Sequence, residues 1–195
     1  MKIDRIIIDR LEESAKLNRL IVKNAGLISS VKETAELIIN TYKNGGRLFI
    51  AGNGGSAADS QHIATEFVSR FYKERAALSA ESLTANTSNL TAISNDYDFA
   101  VVFSRQLEAS GMEGDIFWGI STSGNSKNII KALEKAKEMK IKTIGFTGQN
   151  SGKMADLCNV LISIPSKNTP RIQEYHITIA HIICELVEST LFPNK

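Results

Sequence analysis

A hydroxyl-rich segment near the middle of the chain has the composition of a phosphate-binding turn. Residues 121–126 read Ser-Thr-Ser-Gly-Asn-Ser, after the apolar run 115–120 and before a helical pattern that begins at Ser126. A helix N-terminus has unpaired amides and the positive end of the helix dipole, and serine and threonine hydroxyls rotate to donate. Ser126 could also be an ordinary N-cap in a polar turn. Because one N-cap does not require four hydroxyls around a glycine, we favour a phosphate ligand.

A second loop, Gly52-Asn-Gly-Gly-Ser-Ala57, is rich in glycine and opens another helical pattern. It formally matches G-x-G-x-x-A, the dinucleotide fingerprint, which also requires an acidic residue at the end of a second strand about 20 residues further on. Residues 67–73 continue the helical pattern instead, so we exclude NAD. We expect the glycines to let backbone amides approach a phosphorylated or polyhydroxylated ligand.

Two groups of residues could handle protons or a metal ion. His62 and Glu66 are spaced i, i+4, so they share one face of their helix and could bind one ion. An exposed ion pair is the ordinary interpretation, but this helix begins at the glycine loop. Towards the C-terminus, His176 and His181 do not share a face, and Gln173 lies about 12 Å along the helix from His181. Each of these three could simply be a polar residue satisfied in a helix interface.

The motifs require a scaffold that alternates strands and helices. Apolar runs predict strands at 47–51, 115–120, 142–147 and 160–164, and helices are expected at 57–72, 126–139, 152–157 and 171–191. This alternation predicts an α/β fold with a central parallel sheet flanked by helices, with both loops at the carboxyl ends of strands, where ligands bind. Amphipathic helices at 2–23 and 28–43 precede the sheet. We expect one domain, with an N-terminal helical pair in packing or oligomerisation (1–45) and an α/β core (46–195).

Composition excludes several classes of partner. The 195 residues are 43% hydrophobic and 23% charged with a net charge of +2, which gives no reason to expect nucleic acid or a membrane surface. Cys158 and Cys184 stand in apolar surroundings and predict free thiols in a reducing compartment. The N-terminus lacks the apolar core of a signal peptide, and no apolar run approaches ~18 residues. We therefore expect a cytoplasmic protein.

Five motifs in this order resemble the SIS-domain phosphoheptose isomerase family. Besides the two loops, they are His62-x-x-x-Glu66, Asn95-Asp96, and Thr169-x-Arg-Ile-Gln-Glu174 with His181. The resemblance covers essentially the whole chain. It implies an aldose-ketose isomerase that converts sedoheptulose 7-phosphate to D-glycero-D-manno-heptose 7-phosphate through an enediol, the first step of nucleotide-activated heptose biosynthesis. It also implies a homotetramer with active sites between subunits.

The resemblance assigns site residues as well. The catalytic residues would be Glu66 and His181. One zinc ion per subunit would be held by His62, Glu66, Gln173 and His181. The sugar phosphate would contact Asn53, Gly54, Gly55, Ser56, Glu66, Asn95, Asp96, Ser121, Thr122, Ser123, Ser126 and Gln173.

Two other functions remain open within the SIS domain. One is a non-enzymatic adaptor that binds a replication initiator protein; in such proteins the positions matching Glu66 and His181 are replaced. The other is an isomerase of a hexulose phosphate, which would use the same phosphate loop but need not carry the His62–Glu66 pair.

Overall fold

The computed structural model describes residues 2–193, which form a sheet with helices on both faces. The strands are β1 (Leu48–Ala51), β2 (Ala80–Ser82), β3 (Ile116–Ile120), β4 (Lys142–Gly148) and β5 (Val160–Ile164). The helices are α1 (Lys2–Val22), α2 (Ala25–Lys43), α3 (Gly55–Val68), α4 (Thr87–Asp96), α5 (Val102–Ser110), α6 (Lys127–Glu138) and α7 (Thr169–Leu191), with 3₁₀ turns at Phe99–Val101 and Gly152–Leu157. All strand pairs are parallel, in the order β2-β1-β3-β4-β5.

The sheet is covered on both faces, as its apolar strands predict. In β3, Trp118 and Ile120 pack into the core formed with α2, α3 and α7, whereas Phe117 packs into the core formed with α5 and α6. This alternation follows from the two-residue period of a strand. The predicted α/β fold with a central parallel sheet is confirmed, and both ligand loops begin where β1 and β3 end.

The sequence missed three elements, and one predicted helix is too long. The sheet has a fifth strand, β2, whose sequence Ala-Glu-Ser is too short and polar to show an apolar run, and helices α4 and α5 were not expected. The helix predicted over 57–72 ends at Val68, because Arg75 donates hydrogen bonds to the carbonyls of Glu66 and Phe67 and so satisfies its last turn. The argument against NAD can therefore no longer rest on a helix over residues 67–73. It rests instead on β2, the second strand in the chain, which ends at Ser82, where the dinucleotide fingerprint requires an acidic residue.

Helices α3 and α7 run side by side in the same direction. Near their N-termini, a side chain built at Gly55 would come within 2.7 Å of Gln173 Nε2. Two turns further on, His62 Nε2 lies 3.4 Å from His181 Nε2. The parallel packing therefore brings together residues that the sequence separates by more than a hundred positions.

The apolar side chains in the first half of α1 are left exposed by their own chain. The buried residues of this helix are Leu17 and Ile21, near its C-terminal end. Four apolar residues of the N-terminal half are between 53% and 74% exposed: Ile3, Ile6, Ile7 and Leu11. Over residues 2–193, no helix is both long enough and apolar enough to cross a membrane.

Both cysteines are free thiols, as expected. Burial raises the pKa of the Cys158 thiol to about 12, with Lys137 opposing, and burial also raises the pKa of Cys184. Thiols with such raised pKa values hold their protons at neutral pH and are poor nucleophiles.

We expect His176 to make folding sensitive to mild acid. Its side chain is fully buried, and burial lowers its pKa from 6.5 to about 4 although the Thr147 carbonyl accepts a hydrogen bond from Nε2. Below pH 6.5 the unfolded chain takes up a proton that the folded chain refuses until about pH 4, so stability falls as the pH falls. Between pH 7.5 and 5 this should cost about 2 kcal/mol.

Urea unfolding at several pH values checks this expectation. His176→Gln keeps a donor for the Thr147 carbonyl but cannot titrate, so its free energy of unfolding should fall less with acid than that of the unaltered chain. Parallel pH profiles for the two proteins would contradict the assignment.

Candidate active site

Three side chains that can hold a proton or a metal ion meet where α3 packs on α7. His62 Nε2 lies 3.1 Å from Glu66 Oε1, as their spacing of one helical turn predicts. His181 brings its Nε2 to 3.4 Å from His62 Nε2, and the two rings meet edge to face with centroids 4.9 Å apart. The sequence pairs the first two residues, but only the fold adds the third.

The electrostatics of this cluster favour a neutral His181. Burial lowers the pKa of His181, the neighbouring His62 lowers it further, and Glu66 opposes both effects. A neutral imidazole has a free lone pair, which is the form that accepts a proton or binds a metal. His181 is therefore poised for either role at neutral pH.

The donor set fits a divalent metal ion. The ligand atoms of His62, Glu66 and His181 all lie within 4.8 Å of one another. Two imidazole nitrogens and one carboxylate oxygen, with a further position left open, form a donor set typical of catalytic zinc sites. Gln173 completes the set that the family resemblance implies, but within one chain it lies near Gly55, two turns from His181 along α7.

Asp59 stands next to this cluster on α3 and was not predicted as a site residue. It lies three residues before His62, on the same face of α3, and its Oδ2 is buried without a hydrogen-bond partner. Burial raises its pKa, with His62 opposing. A carboxyl oxygen without a partner at this place can bind a ligand hydroxyl. Its i, i+3 spacing from His62 was the signal that the sequence offered.

The hydroxyl-rich turn does not cap the amides of Lys127 and Asn128, the first two of α6, whereas the third, of Ile129, donates to Asn128 Oδ1 at 3.0 Å. Ser126 stands at the N-cap but its side chain does not cap the helix; its hydroxyl lies 2.9 Å from that of Ser121. The Ser123 hydroxyl lies 3.4 Å from the Ser121 hydroxyl. Uncapped helix amides beside a cluster of hydroxyls form a donor-rich cradle for an anion. The interpretation of Ser126 as an ordinary N-cap is therefore wrong.

A reciprocal amide pair joins the two ligand loops. Asn53 Nδ2 donates to Asn128 Oδ1 at 2.9 Å, and Asn128 Nδ2 donates to Asn53 Oδ1 at 2.8 Å. Asn128 is 3% exposed and was not predicted as a site residue. The pair fixes the glycine loop against the N-terminus of α6, so the cradle and α3 keep a defined separation.

Several of the other predicted residues line or border this region. A cavity of about 530 Å³ opens beside the amide pair and is lined by Asn53, Gly54, Asp98, Phe99, Ala100, Ser126, Lys127 and Asn128. Thr122 and Ser123 line a neighbouring cavity of about 310 Å³ with Lys167 and Thr169. Ser56 is buried in the first turn of α3.

Asn95 and Asp96 lie apart from these groups. Both are exposed at the C-terminal end of α4, where Asn95 Nδ2 donates to Asp96 Oδ1 at 2.8 Å. Over residues 2–193, neither borders the cavity that Asp98 and Phe99 line. Within one chain, the structure does not bring them to the cluster or the cradle.

Sequence comparison places the chain in a family. The SIS domain model matches residues 13–148. The phosphoheptose isomerase of Aneurinibacillus thermoaerophilus is 56% identical over 185 residues, which are 95% of this chain and 93% of that protein. This chain belongs to the SIS-domain family of phosphoheptose isomerases. The phosphoheptose isomerase of Clostridium acetobutylicum is similar too, at 50% identity over 95% of each chain.

Solved structures of phosphoheptose isomerases share the fold along almost the whole chain. The enzyme from Neisseria gonorrhoeae superposes with a TM-score of 0.90 at 39% identity, covering 96% of this chain and 99% of that one. The enzyme from Francisella tularensis gives a TM-score of 0.92 at 31% identity, covering 97% and 99%. The N-terminal helices therefore belong to the shared architecture.

Proposed function

We propose that this chain is a cytoplasmic phosphoheptose isomerase that converts sedoheptulose 7-phosphate to D-glycero-D-manno-heptose 7-phosphate. The observation that carries the proposal is the cluster of His62 and Glu66, on the helix that follows the glycine loop, with His181 on α7. The relatives named phosphoheptose isomerase match nearly the whole chain and support the substrate. Two free thiols accord with a reducing compartment.

The phosphate group would serve as a handle remote from the reacting carbons. The first two amides of α6 would donate hydrogen bonds to it, together with the hydroxyls of Ser121, Thr122, Ser123 and Ser126. Binding energy at this handle holds the other end of the sugar in place against the cluster. The hydrogen bonds between Asn53 and Asn128 hold the glycine loop at a fixed distance from the phosphate cradle.

The reaction moves a proton between neighbouring carbons. Glu66 would take the proton from C1 as the carbonyl oxygen on C2 gains one, which gives the enediol. Return of a proton to C2 and loss of the proton on the C1 oxygen then yield the aldehyde. His181 would exchange protons with these two oxygens, and its neutral form suits that role.

A zinc ion held by His62, Glu66, His181 and Gln173 would supply positive charge beside the two oxygens of the reacting carbons. A carboxylate bound to a metal is a weaker base, so Glu66 must use its second oxygen or leave the ion to take the proton. Asp59, with its unpartnered Oδ2, would hold a sugar hydroxyl near the cluster.

The two alternative functions are less well supported. An adaptor for a replication initiator has no need of a proton-handling pair, yet Glu66 and His181 are present and converge. A hexulose phosphate isomerase would use the same cradle but need not carry the His62–Glu66 pair, which is formed here at 3.1 Å.

An NMR assay in D₂O tests the proposed function. With sedoheptulose 7-phosphate, the purified protein should form the aldose and incorporate deuterium at C2 of that product. A parallel reaction with a hexulose 6-phosphate should be much slower. Binding of the sugar phosphate without turnover, with or without added zinc, would favour the adaptor function, and faster turnover of the hexulose would favour the second alternative.

We also propose that the chain forms a homotetramer whose subunits share each active site. The exposed stripe of Ile3, Ile6, Ile7 and Leu11 on α1 gives a second copy an apolar surface to cover. Gln173 and His181 lie about 12 Å apart along one helix, so one ion is reached more easily if they come from different subunits.

Mixing two inactive variants distinguishes a shared site from a site within one chain. Gln173→Ala and His181→Gln should each be inactive alone, but mixed tetramers should regain activity, because some sites then receive an unaltered residue from each subunit. No recovery after mixing, with tetramers confirmed by sedimentation, would contradict the shared site.

A further inference from the structure

The segment that follows α3 is held by a single buried carboxylate. Glu188 on α7 accepts hydrogen bonds from three consecutive amides: Phe71 at 2.9 Å, Tyr72 at 2.7 Å and Lys73 at 3.0 Å. Burial alone would raise the pKa of Glu188, but these amides and Arg75 together hold it below its usual value. The carboxylate is therefore charged and fixes this segment at neutral pH.

Arg75 completes the arrangement from the other side. Its Nε lies 3.0 Å from Glu188 Oε1, and the two side chains are only 1% and 3% exposed. Its guanidinium also donates to the carbonyls of Glu66 and Phe67, both at 2.8 Å. Arg75 thus links Glu66, the proposed base near the end of α3, to Glu188 on α7.

The held segment places an aromatic ring against the cluster. The ring of Phe71 stands 5.5 Å from that of His181, centroid to centroid. Glu188 lies on α7 two turns after His181, and the Arg75 contact at Glu66 lies one turn after His62 on α3. This tether, formed by Arg75 and Glu188, therefore acts on both helices that supply the cluster, at Glu66 on α3 and two turns beyond His181 on α7.

We propose that Arg75 and Glu188 are positioning residues for the reaction, which set the His62–Glu66–His181 cluster by fixing α3 against α7 and Phe71 against His181. This inference rests on the proposed function of the cluster. A buried ion pair gains little stability over an apolar pair, because desolvation of the charges offsets their attraction. What it adds is a defined geometry, and the geometry it defines here is that of Glu66 and His181.

The chain contains three histidines, so its imidazole signals give a direct test. We expect Glu188→Gln to shift the NMR signals of His62 and His181, because an amide cannot accept from all the donors that surround Glu188. His176 is buried against the Thr147 carbonyl and should not shift, which makes it an internal control. Glu134→Gln removes an exposed pair with Lys131 and should shift none of the three.

Kinetics provide a readout that loss of stability alone would not change. Below its unfolding temperature, Glu188→Gln should lower kcat about 10- to 100-fold, as loss of a supporting partner around ligand side chains does. KM should stay unchanged, because the cradle at Ser121 and Ser126 is untouched. Arg75→Lys should lower kcat less, since it keeps the charge but loses the contacts to several carbonyls.

If Glu188→Gln does not fold, Phe71→Leu tests the same inference with the tether intact. It should shift the His181 signal and lower kcat, while His176 stays in place. An unchanged kcat, or a shift of all three histidines together, overturns the positioning role. If the unaltered chain shows no turnover, the proposed function fails; selective shifts of His62 and His181 would still support the positioning, and their absence would overturn it.

Discussion

Glu66→Gln is expected to lower kcat by about 10³-fold or more, the range reached when a positioned base is removed. Glutamine has the same shape, so α3 should keep its packing against α7 while the proton acceptor is lost. Sugar phosphate binding should persist, because the cradle at residues 121–126 lies on a different helix. Progress curves give kcat, and calorimetric titration with the sugar phosphate gives the affinity.

The role of Glu66 as a base can be separated from a role as a metal ligand. Bound metal should be measured in Glu66→Gln and in His62→Gln, which alters the donor set but leaves the carboxylate. If Glu66→Gln loses activity while it binds as much metal as the unaltered chain, the carboxylate acts as the base. Glu185→Gln, an exposed change on α7, should behave as the unaltered chain does. Near-normal turnover by Glu66→Gln would show that another group takes the proton.

The parts of the site that depend on local spacing could be predicted from the sequence. Residues 121–126 indicate a turn before a helix by their own composition, and His62 and Glu66 share a face because of the helical repeat. The parallel sheet follows from apolar runs that alternate with helices. Because both ligand loops follow strands of that sheet, these patterns are enough to place the two loops at the same edge.

The parts that depend on distant contacts could not be predicted in this way. Strand β2 is recognisable only because β1 pairs with it, since three residues carry no pattern of their own. Helix α3 ends at Val68 because Arg75 returns to cap it, a contact that local propensity does not contain. Asn128 looks like any polar residue in the first turn of a helix until its amide is seen against Asn53.

Gly124, in the cradle, has no room for a side chain. It adopts φ +66°, and a Cβ built there would clash with the Ser151 carbonyl oxygen. The Met154 amide donates to the Gly124 carbonyl at 3.1 Å, so the turn at 121–126 and the segment 151–154 pack backbone to backbone. A methyl group at this position must push the loops apart, and the hydroxyls on either side move with the backbone.

We therefore expect Gly124→Ala to lower kcat/KM about 100-fold, because one or two hydrogen bonds to the charged phosphate are lost. Inhibition by inorganic phosphate should weaken in parallel, which locates the defect at the handle. Gly45→Ala is the matched control: its φ is +79° but a Cβ there meets nothing within 4 Å. That variant should lose only about 1–2 kcal/mol of stability from backbone strain and keep its kinetics. Both variants place alanine at a positive φ. Equal kinetic effects would therefore show that this backbone strain, and not the close approach of residues 121–126 to residues 151–154, shapes the cradle.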